Sequence, residues 1–98
     1  MKLSQSLEDY IEAIYMLELS DKKVKSVEIA NMLGVSKPAV TKAMAELFDE
    51  GLIEKSPYSE IKLTKKGRNE AKEVYHRHIV IRAFLMNKLG VPREIAEK

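Results

Sequence analysis

Asp9 and Glu12 stand three residues apart in a segment with helical periodicity, a spacing that sends both carboxylates to one side of a helix. His78 lies far along the chain in a second helical segment, on the side that carries Val74, Ile81 and Leu85. Two carboxylates and an imidazole are donors that suit a borderline-hard divalent ion such as Mn2+ or Fe2+. Each residue also has an ordinary reading. Acidic residues in a first turn complement the helix dipole, and a histidine beside an apolar stripe is commonly a satisfied boundary residue. His76 competes with His78, because residues two apart point about 200° apart at roughly 100° per residue, and only one of them can face the first helix.

A second group of residues has the chemistry of nucleic-acid contact. Ser36, Lys37, Ala39, Thr41 and Lys42 fall on the outer face of a short helical segment, with Pro38 in its first turn. Short side chains allow close approach to a groove, and cationic ones reach phosphates. The Pro38 ring or the Ala39 methyl can touch a thymine methyl, and Lys42 can reach a guanine edge or a phosphate. Ser36, Pro38 and Lys42 are therefore the principal base-reading candidates.

The elements that position these residues follow from start and stop signals. The first helix is expected from Leu7 to about Leu19, capped by Ser6, with Leu7, Tyr10, Ile11, Ile14, Tyr15 and Leu17 on its apolar side. Ser26 is a suitable cap for a second helix, whose apolar face is Val27, Ile29, Ala30, Met32 and Leu33. Gly34 is placed to end it in the left-handed conformation, and Val35 to fill the angle of the turn. Ser36 can cap the third helix, where Pro38 is tolerated and Val40, Ala43, Met44 and Leu47 recur at buried-face spacing. Two short helices joined by a sharp turn form a helix-turn-helix, or else an ordinary antiparallel pair in an all-α domain.

After Gly51 the period changes. Leu52-Ile53 and Ile61-Lys62-Leu63 flank a Pro/Ser/Tyr turn and predict a two-stranded hairpin. Lys55 and Lys62 lie in its strands, placed for phosphates or simply for solvent. Thr64 is a cap for a long helix from Lys65 to about Leu89, ended by Gly90, with Val74, Ile81, Phe84, Leu85 and Leu89 as its apolar stripe. Lys65, Lys66 and Arg68 crowd its first turn against the helix dipole, which suggests an external anion or a solvated basic face. The expected fold is mainly α with a small β-hairpin, a winged helix-turn-helix over residues 1–64, followed over 65–98 by the long linking helix and the start of a further, truncated domain.

Composition limits the alternatives. The 98 residues make one small domain, and 17 basic against 15 acidic side chains leave a net charge of +2, too balanced for a nonspecific polycation. There is no cysteine, which excludes disulfides and thiolate-bound zinc. No apolar run is long enough to span a bilayer and no signal peptide opens the chain, so a cytoplasmic location is expected. No activated nucleophile or phosphate loop points to an enzyme. Val91–Lys98 reads as the opening of a further helix with Pro92 at its start, too short to be stable alone, and suggests a chain that continues.

Ser6-Leu-Glu-Asp-Tyr-Ile-Glu-Ala-Ile-Tyr-Met-Leu17, Ile29-Ala30, Val35, Val40-Thr-Lys42, Gly51-Leu-Ile53, Leu63-Thr-x-x-Gly67 and His78 with Phe84-Leu85 resemble the N-terminal part of the manganese/iron-dependent repressors, the diphtheria-toxin-repressor family. The likeness covers nearly the whole chain. Asp9 and Glu12 stand where the manganese-sensing branch has its first-helix ligands. The resemblance implies that Asp9, Glu12 and His78 ligate Mn2+ or Fe2+, and that the remaining ligands and most of the dimerisation surface lie beyond Lys98. The metal site would then be incomplete in this chain. It further implies a homodimer on operator DNA that represses metal-uptake genes. The competing expectations are a metal-independent winged-helix regulator and a winged helix that serves as a protein-interaction module.

Overall fold

A computed structural model describes residues 3–20, 23–55 and 60–89 of the chain. Four helices and a hairpin follow in the order α1 (Gln5–Leu19), α2 (Ser26–Leu33), α3 (Lys37–Asp49), β1 (Ile53–Lys55), β2 (Ile61–Leu63) and α4 (Lys65–Leu89). The helical fold with a small hairpin agrees with expectation. The hairpin turn expected at 56–59, the helix end expected at Gly90 and the further helix expected over Val91–Lys98 lie outside the described residues.

Hydroxyl caps open α1, α3 and α4, and the starts of α1 and α2 differ from the sequence reading. α1 begins two residues earlier than expected, because Ser4 and not Ser6 is the cap and accepts the Leu7 N–H, at 3.2 Å. Ser26 is the first residue of α2, and the extended residue before it is Lys25, which makes no side-chain cap. Ser36 caps α3 as read, accepting from the Ala39 N–H at 3.3 Å. Gly34 ends α2 at φ 67°, a left-handed conformation that costs an L-residue free energy.

The core lies where α1, α2 and α3 meet the hairpin and the first half of α4. Ile11, Ile14, Ile29, Val40, Leu47 and Val74 are fully enclosed there. All four predicted buried residues of α3 are buried, since the three- and four-residue steps keep them on one side. The face of α2 is narrower than read. Ile29 and Ala30 are buried, whereas Val27 and Met32 are exposed, because the eight-residue helix turns only a narrow strip towards α1 and α3, and Val35, expected to fill the angle of the turn, is exposed as well.

The hairpin is antiparallel, with Ile53 opposite Leu63 and Lys55 opposite Ile61. The Ile61 N–H donates to the Val24 carbonyl at 2.8 Å, so the segment before α2 covers the outer edge of β2. α4 starts hard against this hairpin. A β-carbon on Gly67 would sit 1.9 Å from the Leu52 carbonyl oxygen, so only glycine lets the helix approach the strand entry this closely. Further along, α4 leaves the core. Ile81, Phe84 and Leu85, read as an apolar stripe, are about half exposed or more. The stripe is present, but among the described residues nothing covers it.

Candidate functional site

α1 and α4 pack against each other over much of their length, and polar side chains set their register. Residues 8, 12, 15 and 18 recur at three- and four-residue steps and so share one face of α1. Along that face, Arg77 Nη1 donates to both carboxylate oxygens of Glu8 at 3.1 and 3.2 Å. His78 Nδ1 lies 2.9 Å from Glu12 Oε1. The Tyr15 and Tyr75 rings meet edge to face with centroids 5.5 Å apart. Arg68 donates to Glu18 Oε1 at 3.0 Å, while the other oxygen of Glu18 accepts the Leu63 N–H at 3.2 Å. Acidic groups on α1 thus face basic groups on α4 from one end of the contact to the other.

The structure therefore brings Glu12 and His78 together and turns His76 outward, exposed on α4. Both partners are largely shielded, with side-chain exposures of 17% for Glu12 and 23% for His78. A carboxylate only accepts, so the contact makes Nδ1 the donor and leaves Nε2 as the ring nitrogen that Glu12 does not engage. Asp9 is exposed on the shoulder of α1, about 60° around from Glu12 at roughly 100° per residue. Among the described residues no three histidine or acidic side chains converge on one point, so Asp9 has not joined the pair. A carboxylate and an imidazole in contact, with a second carboxylate three residues away on α1, are donors whose chemistry fits a divalent metal ion.

Glu8 was missed from sequence because its neighbour Asp9 carries the same charge. It is nevertheless the one buried charged residue among those described, at 7% exposure. The signal lay in spacing: Glu8, Glu12, Tyr15 and Glu18 follow one helical stripe, and a stripe of mostly acidic residues needs a basic partner.

The second candidate surface is the start of α3. Ser36, Lys37, Pro38, Thr41 and Lys42 are exposed there, and Ala39 is half-buried. Lys62 and Lys65 are exposed as well, and Lys65 has no partner among the described residues. Lys55 lies in β1. Lys66 departs from the expectation of a free cation, since its Nζ donates to the Glu50 carbonyl at 3.0 Å. It caps the C-terminal end of α3, where a positive charge suits the helix dipole. Thr64 works beside it. Its hydroxyl accepts the Gly67 N–H at 3.0 Å and donates to the Gly51 carbonyl at 2.7 Å, tying the start of α4 to the end of α3.

A helix-turn-helix with an exposed polar face, followed by a hairpin and a long helix, defines the class of winged-helix DNA-binding regulators. Residues 2–61 match the family described as iron dependent repressor, N-terminal DNA binding domain, and residues 64–98 match its metal binding and dimerisation domain. The chain belongs to this iron-dependent repressor family, a family of transcriptional regulators. It is 38% identical over 92 residues to the transcriptional regulator MntR of Escherichia coli O6:H1 (strain CFT073), covering 94% of this chain and 59% of that protein. It is 36% identical over 97 residues to an uncharacterized HTH-type transcriptional regulator of Methanocaldococcus jannaschii, covering 98% of this chain and 78% of that one. Among solved structures, the manganese regulator SloR superposes with a TM-score of 0.79 at 37% identity, over 92% of this chain and 42% of SloR. The chain thus spans only part of the length of these relatives. Among the described residues no helix is long and apolar enough to cross a membrane.

Proposed function

We propose that this chain is the DNA-reading head, with part of the metal-sensing site, of a Mn2+- or Fe2+-dependent transcriptional repressor. It acts in the cytoplasm as a homodimer on operator DNA and controls metal-uptake genes. Residues 1–64 form the reading head, and residues 65–98 link it to the metal-binding and dimerisation region. The observation that carries this reading is the contact between Glu12 and His78, which joins the helix beneath the reading head to the long helix that leaves it.

Asp9, Glu12 and His78 are the residues that would hold the ion. When bound, the ion supplies positive charge and a fixed arrangement of ligands between α1 and α4. Glu12 and His78 meet this need with little reorganisation, because both are shielded and already face each other. Asp9, exposed three residues before Glu12 on α1, would complete the set of ligands that this chain supplies. Ser36, Pro38 and Lys42 read bases in the major groove, with Lys37, Ala39 and Thr41 beside them. Lys55, Lys62 and Lys65 contact phosphates, and Lys66 does so in addition to capping α3. A dimer sets two such heads at the spacing of a palindromic site, and the metal favours that arrangement among those the protein already samples.

Substituting Asp9→Ala in the full-length protein tests the ligand assignment. Titration calorimetry is expected to show weakened Mn2+ binding, and gel shifts to show loss of Mn2+-dependent DNA binding, with helical circular dichroism unchanged. Metal dependence equal to that of the unsubstituted protein would remove Asp9 from the site.

A further inference from the structure

Glu8 and Arg77 lie next to two of the candidate ligands, Asp9 and His78, yet neither is a ligand itself. Glu8 is buried at 7%, and one guanidinium nitrogen of Arg77 bridges both of its oxygens at 3.1 and 3.2 Å. Arginine stays protonated in proteins and offers no lone pair, so this carboxylate is held by a permanent cation and is withheld from any nearby metal. The apolar part of the α1–α4 contact runs out in the same region. Val74 is the last buried residue described on α4, and Ile79, Val80 and Ile81 beyond it are exposed. At this end of the contact α4 contributes no further buried apolar residue among those described, and the described side-chain links between the two helices there are Glu8–Arg77 and Glu12–His78.

We propose that Glu8 and Arg77 are positioning residues for the metal site. Their pair holds the first turns of α1 against the middle of α4 when no metal is bound, so that Glu12 and His78 stay opposed. It also keeps Glu8 out of the ligand set. Glu12–His78 cannot serve as this fixed point, because both of its members are used in binding the ion. Glu8–Arg77 has no such second task and persists through metal binding and release. This inference rests on the metal-site reading of Asp9, Glu12 and His78.

The test uses the full-length protein and Mn2+ alone, with affinity read by calorimetry and metal-free stability by thermal unfolding. Arg77→Met is expected to weaken Mn2+ binding tenfold or more, and Arg77→Lys, which keeps the charge, to recover much of that loss. Arg77→Met leaves Glu8 buried without its partner, which risks the fold. The double variant Glu8→Leu with Arg77→Leu removes both charges and is expected to remain folded while losing Mn2+ affinity to a similar extent. Metal-free hydrogen exchange across residues 5–12 should be faster in both charge-removing variants. Mn2+ affinity within twofold of the unsubstituted protein in the folded double variant would overturn the positioning role. Failure of the unsubstituted protein to bind Mn2+ would instead overturn the metal site, and this inference with it.

Discussion

Two lysines of similar sequence character have different surroundings. Lys42 is exposed on the outer face at the start of α3, whereas Lys66 is bound to the Glu50 carbonyl at the other end of the same helix. The sequence shows the charge of each but not its partner, because a backbone carbonyl can be supplied by any residue. Lys42→Ala is therefore expected to weaken binding to the selected operator by about 1–3 kcal/mol and nonspecific binding by much less, measured by fluorescence anisotropy at fixed salt. Equal losses on both DNAs would reduce Lys42 to a phosphate contact. Thr64 makes two hydrogen bonds through one hydroxyl, to the Gly67 N–H and the Gly51 carbonyl. Thr64→Ala should cost about 1–2 kcal/mol of stability in urea unfolding, with the midpoint shifted and the slope unchanged.

At the scale of elements, local signals were legible where a helix end depends on its own residues. Gly34 and Ser36 act at the positions read, and the buried steps of α3 agree. The start of α1 was misplaced because Ser4 and Ser6 are chemically equal candidates and only chain geometry chooses between them. What the sequence did not disclose was pairing between elements. The pairings of Glu8 with Arg77 and of Glu18 with Arg68 emerge only when α1 and α4 are laid together. The family resemblance pointed to His78 over His76, and the structure sets His78 opposite Glu12. Gly67 was visible as part of a family pattern without a physical reason, which the structure supplies. The Leu52 carbonyl occupies the space of a side chain. Gly67→Ala should accordingly destabilise by about 1–3 kcal/mol, through forced separation of α4 from β1. A smaller effect than that of Thr64→Ala in the same unfolding assay would mean that this junction relaxes easily.

For the whole molecule, the long helix connects two tasks. Its first half packs on the core and the hairpin through Gly67, Ala71 and Val74, and its second half carries Ile81, Phe84 and Leu85 outward. α1 also joins both tasks. Its N-terminal half presents Glu8, Asp9 and Glu12, and its far end holds the wing through Glu18 and the Leu63 N–H. A ligand that fixes α1 against α4 therefore acts on the same body that bears the DNA-contacting face. This coupling is the central claim, and DNA affinity as a function of metal tests it most directly. DNA selected by the full-length protein from a random pool would be titrated in Mn2+ and in chelator, with the Glu12→Ala variant alongside. Mn2+ should tighten binding at least tenfold, about 1.4 kcal/mol, in the unsubstituted protein and have little effect on the variant. Equally tight binding in Mn2+ and in chelator by the unsubstituted protein would contradict it.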